Sequence, residues 1–140
     1  MTLPSEEIKA WFLEHGRVAM VGTNRRNAGP NMSPLWYLWD GQKFVISTYN
    51  DAGKVKAVRR DPRMSLCIDD GLSNLGLYVT VYGTGIVLGP GEDAVAPSLA
   101  LIKKYRYTDE ASWQHWVEIN ADGQRVVIEM TPEQWVWRDV

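Results

Sequence analysis

Five of the fifteen Lys and Arg residues fall between positions 54 and 63, in the run "DAGKVKAVRRDPR". The nearest acids are Asp51 and Asp61. The run follows a strand-like stretch ending on Ser47-Thr48 and a turn through "NDAG", and it stops at Asp61-Pro62. A helix that starts at Gly53 offers free backbone N–H groups and the positive end of its dipole, both of which favour an anion. Gly53 admits a close backbone approach, and Lys54 adds a point charge. Ser47 and Thr48 add hydroxyl donors at the end of the preceding strand. The same residues also read as a solvated helix face, because Lys56, Arg59 or Arg60, and Arg63 recur three or four apart. Physics alone leaves both readings open. The run is not a P-loop: Thr48 stands where that motif has its first Gly, and Val55 follows Lys54 in place of Ser or Thr.

Other chemistry is sparse. "GTGIVLG" approaches a dinucleotide fingerprint, but it misses the last Gly by one position and lies within a strand pattern. His15 sits at a helix end and His115 between two Trp residues, so each reads as structural or surface. Two His and one Cys make no metal-ligand cluster of the usual spacing, and no metal is expected. Cys67, in "MSLCID", reads as a small core residue. No acidic pair or nucleophile–base arrangement stands out, so no catalytic side chain is assigned. Any enzymatic chemistry then belongs to a bound cofactor. A net charge of −2 argues against nucleic-acid binding. No apolar run reaches the roughly 20 residues of a membrane helix, and "MTLPSEEIKAWF" has no signal-peptide pattern, which makes a cytoplasmic location the expectation. Four of the seven Trp fall in the last 28 residues. That clustering suits an interface or a flat ligand, and a Trp-rich core accounts for any single one equally well.

The elements that must position these residues follow from pattern. "SEEIKAWFLEHG" reads as a helix with Ser5 as N-cap, an Ile8/Trp11/Phe12 stripe and Gly16 at its end. Strands are expected at 17–23, 32–39, 43–49, 63–69 and 77–89, the last bent at Gly83 or Gly85. Pro34 lacks a ladder donor and must lie at an edge, a bulge or a backbone contact. Asp40-Gly41 marks a hairpin. "GLSNLG" reads as a loop. The stretch from Gly91 is mostly helical, broken at Pro97 and again at 107–109, and two closing strands at 124–130 and 134–140 join at Thr131-Pro132. Residues 1–140 are expected to form a single domain. The class is mainly β with flanking helices, and six or more strands in a chain this small favour a closed antiparallel barrel.

The order helix, "RVAMVGT", "GPNMSPLWYLWDGQKFVIST", "GKVKAVRRDPRMSLCIDD", "YVTVYGTGIVL", "RVVIEMTPEQWVW" resembles the flavin/deazaflavin-binding split β-barrel family related to pyridoxamine 5'-phosphate oxidase. The likeness covers nearly the whole chain and is most specific over "SPLWYLWDGQKFVIST…GKVKAVRRDPR". It implies a six-stranded antiparallel split barrel working as a homodimer, with a cofactor in a groove between the subunits. It implies that Met32, Ser33, Pro34 and Trp36 line the ring, that Ser47, Thr48, Gly53 and Lys54 hold the phosphate, and that Arg60 of the same basic run contributes. Nothing in the chain recreates a pyridoxal-phosphate site. The short chain and "VRRDPR" look more like the deazaflavin, or coenzyme F-420, reductase branch, whose cofactor has a long anionic tail that Arg25, Arg26, Lys103, Lys104 or Arg106 would meet. The resemblance therefore implies an oxidoreductase moving a hydride between coenzyme F-420 and a small planar conjugated acceptor. The alternatives are an FMN-dependent oxidoreductase in the same groove, a non-catalytic flavin or deazaflavin carrier, and, more distantly, a haem-handling protein.

Overall fold

The computed structural model describes residues 3–16, 18–69, 76–106 and 109–139. Helix α1 (Glu6–His15) opens the chain, and Ser5 caps it by accepting from the Ile8 N–H at 3.2 Å. Its expected apolar stripe divides. Phe12 and Leu13 are buried, whereas Ile8 and Trp11 face solvent, Trp11 stacking on His15. The strands are β1 (Ala19–Thr23), β2 (Asn31–Leu35), β3 (Leu38–Trp39), β4 (Phe44–Tyr49), β5 (Arg63–Asp69), β6 (Leu77–Leu88) and β7 (Arg125–Asp139). Helix α2 (Gly53–Arg60) lies between β4 and β5, and α3 (Glu92–Arg106) and α4 (Glu110–Asn120) between β6 and β7. Among the described residues no helix is long and apolar enough to cross a membrane.

All strand pairs are antiparallel, in the order β2-β1-β5-β6-β7-β4-β3. That order forces closure. β2 and β3 are opposite edges of the sheet, yet only Trp36 and Tyr37 separate them in sequence. A flat sheet of seven strands spaced at about 4.8 Å would hold its edges roughly 29 Å apart. The three steps from Leu35 to Leu38 span at most about 11 Å. The sheet must curl into a split barrel. The pattern gives seven strands and the resemblance six; the structure has seven, because the run 32–39 breaks at the Trp36-Tyr37 corner while the two closing strands merge into β7. Tyr37 fixes that corner. Its side chain is fully buried, and its hydroxyl donates to the Leu13 carbonyl at 2.6 Å.

Inside the barrel, Phe12, Val21, Tyr37, Phe44, Ile46, Leu66, Val79, Val81, Ile128 and Met130 form one core, plugged at an end by Val55 and Val58 of α2. Outside it, α3 covers β4 and β7 through Ala94 against Val45 and Val127. The helix runs unbroken through Pro97, contrary to expectation. Packing of its Ala94, Ser98, Leu101 and Ile102 face outweighs one lost backbone bond. The two closing strands are likewise one strand. Tyr82 pairs with Gln134 and Gly83 with Pro132, so Glu133 is an extra residue in a bulge that absorbs the proline. Cys67 is half-buried on the outer face of β5, not in the core, because the strand alternation gives the inner positions to Leu66 and Ile68. The expected strand start at Arg17, the loop 71–75 and the break at 107–108 lie outside the described residues, though Asp109 caps α4 by accepting from the Ser112 N–H at 2.7 Å.

Candidate cofactor groove

The split of the barrel lies between β2 and β4. β3 pairs only with Phe44 and Val45, so Ile46–Tyr49 present a strand edge with no strand beside it among the described residues, and β2 does the same on the other side. Backbone polar groups on such edges need partners from elsewhere. Pro34 is on β2, so it does sit at an edge, opposite Met20. A cavity of about 230 Å³ opens at this seam. Pro34, Leu35 and Trp36 line it on the β2 side, Ser47 and Arg125 on the other, and Leu101, Ile102 and Trp116 from α3 and α4. Trp36 stacks on Tyr105 with centroids 4.8 Å apart and meets the edge of Trp116.

The strand period separates two of the expected phosphate residues. Thr48 is buried and shares the core-facing side of β4 with Phe44 and Ile46, while Ser47 faces outward. The Ser47 hydroxyl bonds the Ser98 hydroxyl of α3 at 2.8 Å. The pair holds two protons and its mutual bond uses one, leaving one O–H to donate. On β2 the same alternation turns Ser33 toward the interior opposite Val21 and sends Met32 and Pro34 outward.

A turn from Tyr49 to Ala52, closed by Ala52 N–H donating to the Tyr49 carbonyl at 3.1 Å, delivers the chain to α2. The helix opens on Ala52 with no side-chain cap and no acid in its first turn. The N–H groups of Val55 and Lys56 reach back to the Ala52 carbonyl, whereas those of Gly53 and Lys54 have no acceptor among the described residues. Lys54 is half-buried and makes no ion pair there. The rest of the basic run is spread differently. Lys56, Arg59 and Arg60 are exposed, and Arg60 donates to the Asn24 carbonyl at 2.6 Å from the far end of the helix, about 10 Å along the axis from Gly53. Arg63 pairs with Asp61 at 2.8 Å, and its hydrogen bonds hold that carboxyl well below the usual range. The run therefore divides: Lys56 and Arg59 are exposed, Arg59 reaching the Gly89 carbonyl at 3.5 Å, whereas Lys54 is half-buried at the uncapped helix start.

Lys104, counted among the spare cations, turns inward. It donates to the Tyr37 carbonyl at 3.1 Å and lies over the Tyr37 and Tyr105 rings, and burial pushes its ammonium down to about 8 against the pull of Glu14. Arg25 donates to the Gly29 carbonyl at 2.7 Å, while the Arg106 side chain lies outside the described residues. His15 Nδ1 donates to the Trp11 carbonyl at 2.9 Å and His115 is exposed, and neither lines the seam cavity. No three of His, Cys, Asp or Glu come together among the described residues. A larger cavity, about 580 Å³, lies under α1 against Trp39, Trp135 and Trp137. None of the expected site residues lines it. Its cations are engaged, Lys9 by Glu6 and Arg138 by the Trp137 carbonyl, so size alone does not make it the site.

The sequence profile of the pyridoxamine 5'-phosphate oxidase family matches residues 4–137. The chain belongs to that family. The family includes flavin-binding oxidoreductases. Solved structures agree on the fold. A conserved hypothetical protein of Mycobacterium tuberculosis superposes with a TM-score of 0.81 at 21% identity, over 98% of this chain and 86% of that one. A protein named as an F-420 reductase gives 0.72 at 20% identity, over 96% and 98%. General stress protein 26 of Bacillus anthracis gives 0.67 at 16% identity, over 94% and 91%. Among the seam contributors that went unread in the sequence are Trp116, visible there only as one of the clustered Trp, and Arg125, a lone cation ahead of "VVIEM".

Proposed function

We propose that this family member is an oxidoreductase that binds coenzyme F-420 at the barrel seam and serves hydride transfer to a small planar acceptor. The observation that carries the reading is the uncapped start of α2, with half-buried Lys54, four residues beyond the free edge of β4. The Gly53 and Lys54 N–H groups and the Lys54 ammonium hold the cofactor phosphate. The β2 edge from Met32 to Trp36 orients the ring, and the aromatic and aliphatic walls exclude water. When bound, the cofactor supplies the hydride. The solved F-420 reductase of the same fold supports this choice of cofactor. So do Arg26 and Lys103, which are exposed and without an acidic partner among the described residues, as an anionic tail requires. Side-by-side titration should give coenzyme F-420 at least tenfold tighter binding than FMN, followed by Trp quenching. Tighter FMN binding promotes the FMN-dependent reading, and binding without turnover of any acceptor promotes the carrier.

The functional unit in this proposal is a homodimer. The outer face of β2-β1-β5-β6 carries Met20, Met32 and Tyr82, 40%, 54% and 48% exposed, beside half-buried Cys67. An apolar sheet face of this kind is what a second copy would cover, and obligate interfaces resemble a cut core. Met20→Glu places a charge at the centre of that face, where its desolvation opposes pairing. Light scattering should then report a dimer for the unaltered protein and monomer for the variant at micromolar concentration. A monomeric unaltered protein that still binds cofactor sinks the dimer.

A further inference from the structure

Among the described residues, Arg125 is the cation that lines the seam cavity. It opens β7 opposite Tyr49. Its guanidinium lies over the Tyr49 ring, 4.2 Å from the centroid, and not against a carboxylate. Its Nε is buried and has no acceptor among the described residues. A buried donor on a charged group is costly to leave unsatisfied. Stacking orients the guanidinium plane while leaving its donors unspent. The remaining walls are Pro34, Leu35, Trp36, Leu101, Ile102 and Trp116, which are apolar or aromatic, with the Ser47 hydroxyl as a second polar group. No acid lines the cavity.

We infer that this cavity binds a small planar aromatic carboxylate, with the carboxylate on Arg125 and the ring between the Trp36 and Trp116 side of the seam and the Leu101–Ile102 face. Charge selects the acid, since a guanidinium and a carboxylate form paired, charge-assisted hydrogen bonds. Size selects a small molecule: 230 Å³ lies below the roughly 300–1,000 Å³ of pockets that bury drug-sized ligands. One or two fused rings fill it, and a whole flavin nucleotide does not. The inference rests on the proposed redox reading for the role of this acid as the acceptor beside the cofactor ring at the β2 edge; binding of the acid itself does not require the cofactor.

The test uses the full chain and two probes of the same shape, 2-naphthoate and its neutral counterpart 2-naphthamide, titrated by calorimetry. The unaltered protein should bind the acid at least tenfold more tightly than the amide, without added cofactor. Arg125→Gln should erase that preference, and Arg125→Lys should restore part of it, because a point charge replaces the fork. Equal affinity for the two probes in the unaltered protein overturns the inference without recourse to any variant. A third arm repeats the titration with saturating coenzyme F-420 or FMN. Retained naphthoate binding supports a separate acid site. Competitive loss assigns the cavity to the cofactor itself and overturns the inference. If neither cofactor binds, the proposed redox function fails while the acid-over-amide preference still reads the cavity.

Discussion

Lys54→Met should weaken cofactor binding by about 10- to 150-fold. A charge-assisted bond to a phosphate contributes roughly 1.5–3 kcal/mol, and about 1.4 kcal/mol corresponds to a decade in affinity. The size of the effect follows from position. Lys54 is half-buried at the start of α2, next to N–H groups that no side chain caps, and it is not held by an acid among the described residues. Its charge is therefore available and partly shielded from water, which strengthens an ion contact. Methionine keeps the length and the apolar stem, so the loss reports the charge. Folding should change by less than about 0.5 kcal/mol, as for other surface substitutions that leave caps and core intact. Lys56→Met is the control. Lys56 is exposed on the side of α2 away from Val55 and Val58, and its removal should leave the dissociation constant unchanged. Equal binding by the two variants returns the whole basic run to a solvated helix face.

That contrast also shows what sequence can and cannot say about the site. Helix α2 is legible to the residue, Gly53–Arg60, because a turn precedes it and Pro62 stops it, and both are local chemistry. Strand β5 is legible for the same reason: its apolar residues alternate between fixed ends. The pairing of Ser47 with Thr48 as joint phosphate donors overlooks the period of a strand. Adjacent residues point to opposite faces, and the structure sends Thr48 to the core and Ser47 to Ser98. Arg60 shares the run with Lys54 but sits at the other helix end, bound to the Asn24 carbonyl. The Trp36-Tyr37 corner was hidden in a continuous apolar stretch, because what breaks it is tertiary: the buried Tyr37 hydroxyl on Leu13. Arg125 had no local signal either. Its role depends on β7 lying beside β4, a contact between residues 76 positions apart (Tyr49 with Arg125, 125 minus 49).

The second large effect concerns the frame that holds the seam in place. Gly83→Ala should destabilise the fold by about 3 kcal/mol, the upper end of what overpacking typically costs. Gly83 is buried where β6 passes the β7 bulge, opposite Pro132. A Cβ there would stand 2.1 Å from the Thr131 carbonyl oxygen and 2.9 Å from the Met130 methyl. The first obstacle is backbone inside a paired strand, so relief requires β6 and β7 to part. These two strands connect both halves of the sheet, and β7 carries Arg125 and borders β4. Gly85→Ala provides the comparison. Its nearest obstacle is the Met64 sulfur at 2.6 Å, on a flexible side chain that can turn away, with Ile128 and Val58 beyond 3 Å. Urea unfolding should show a lower midpoint for both variants at an unchanged m-value, with Gly83→Ala falling at least twice as far. If Gly85→Ala is the more damaging, the bulge tolerates a side chain, and the close approach of β6 to Thr131 is not what demands glycine at position 83.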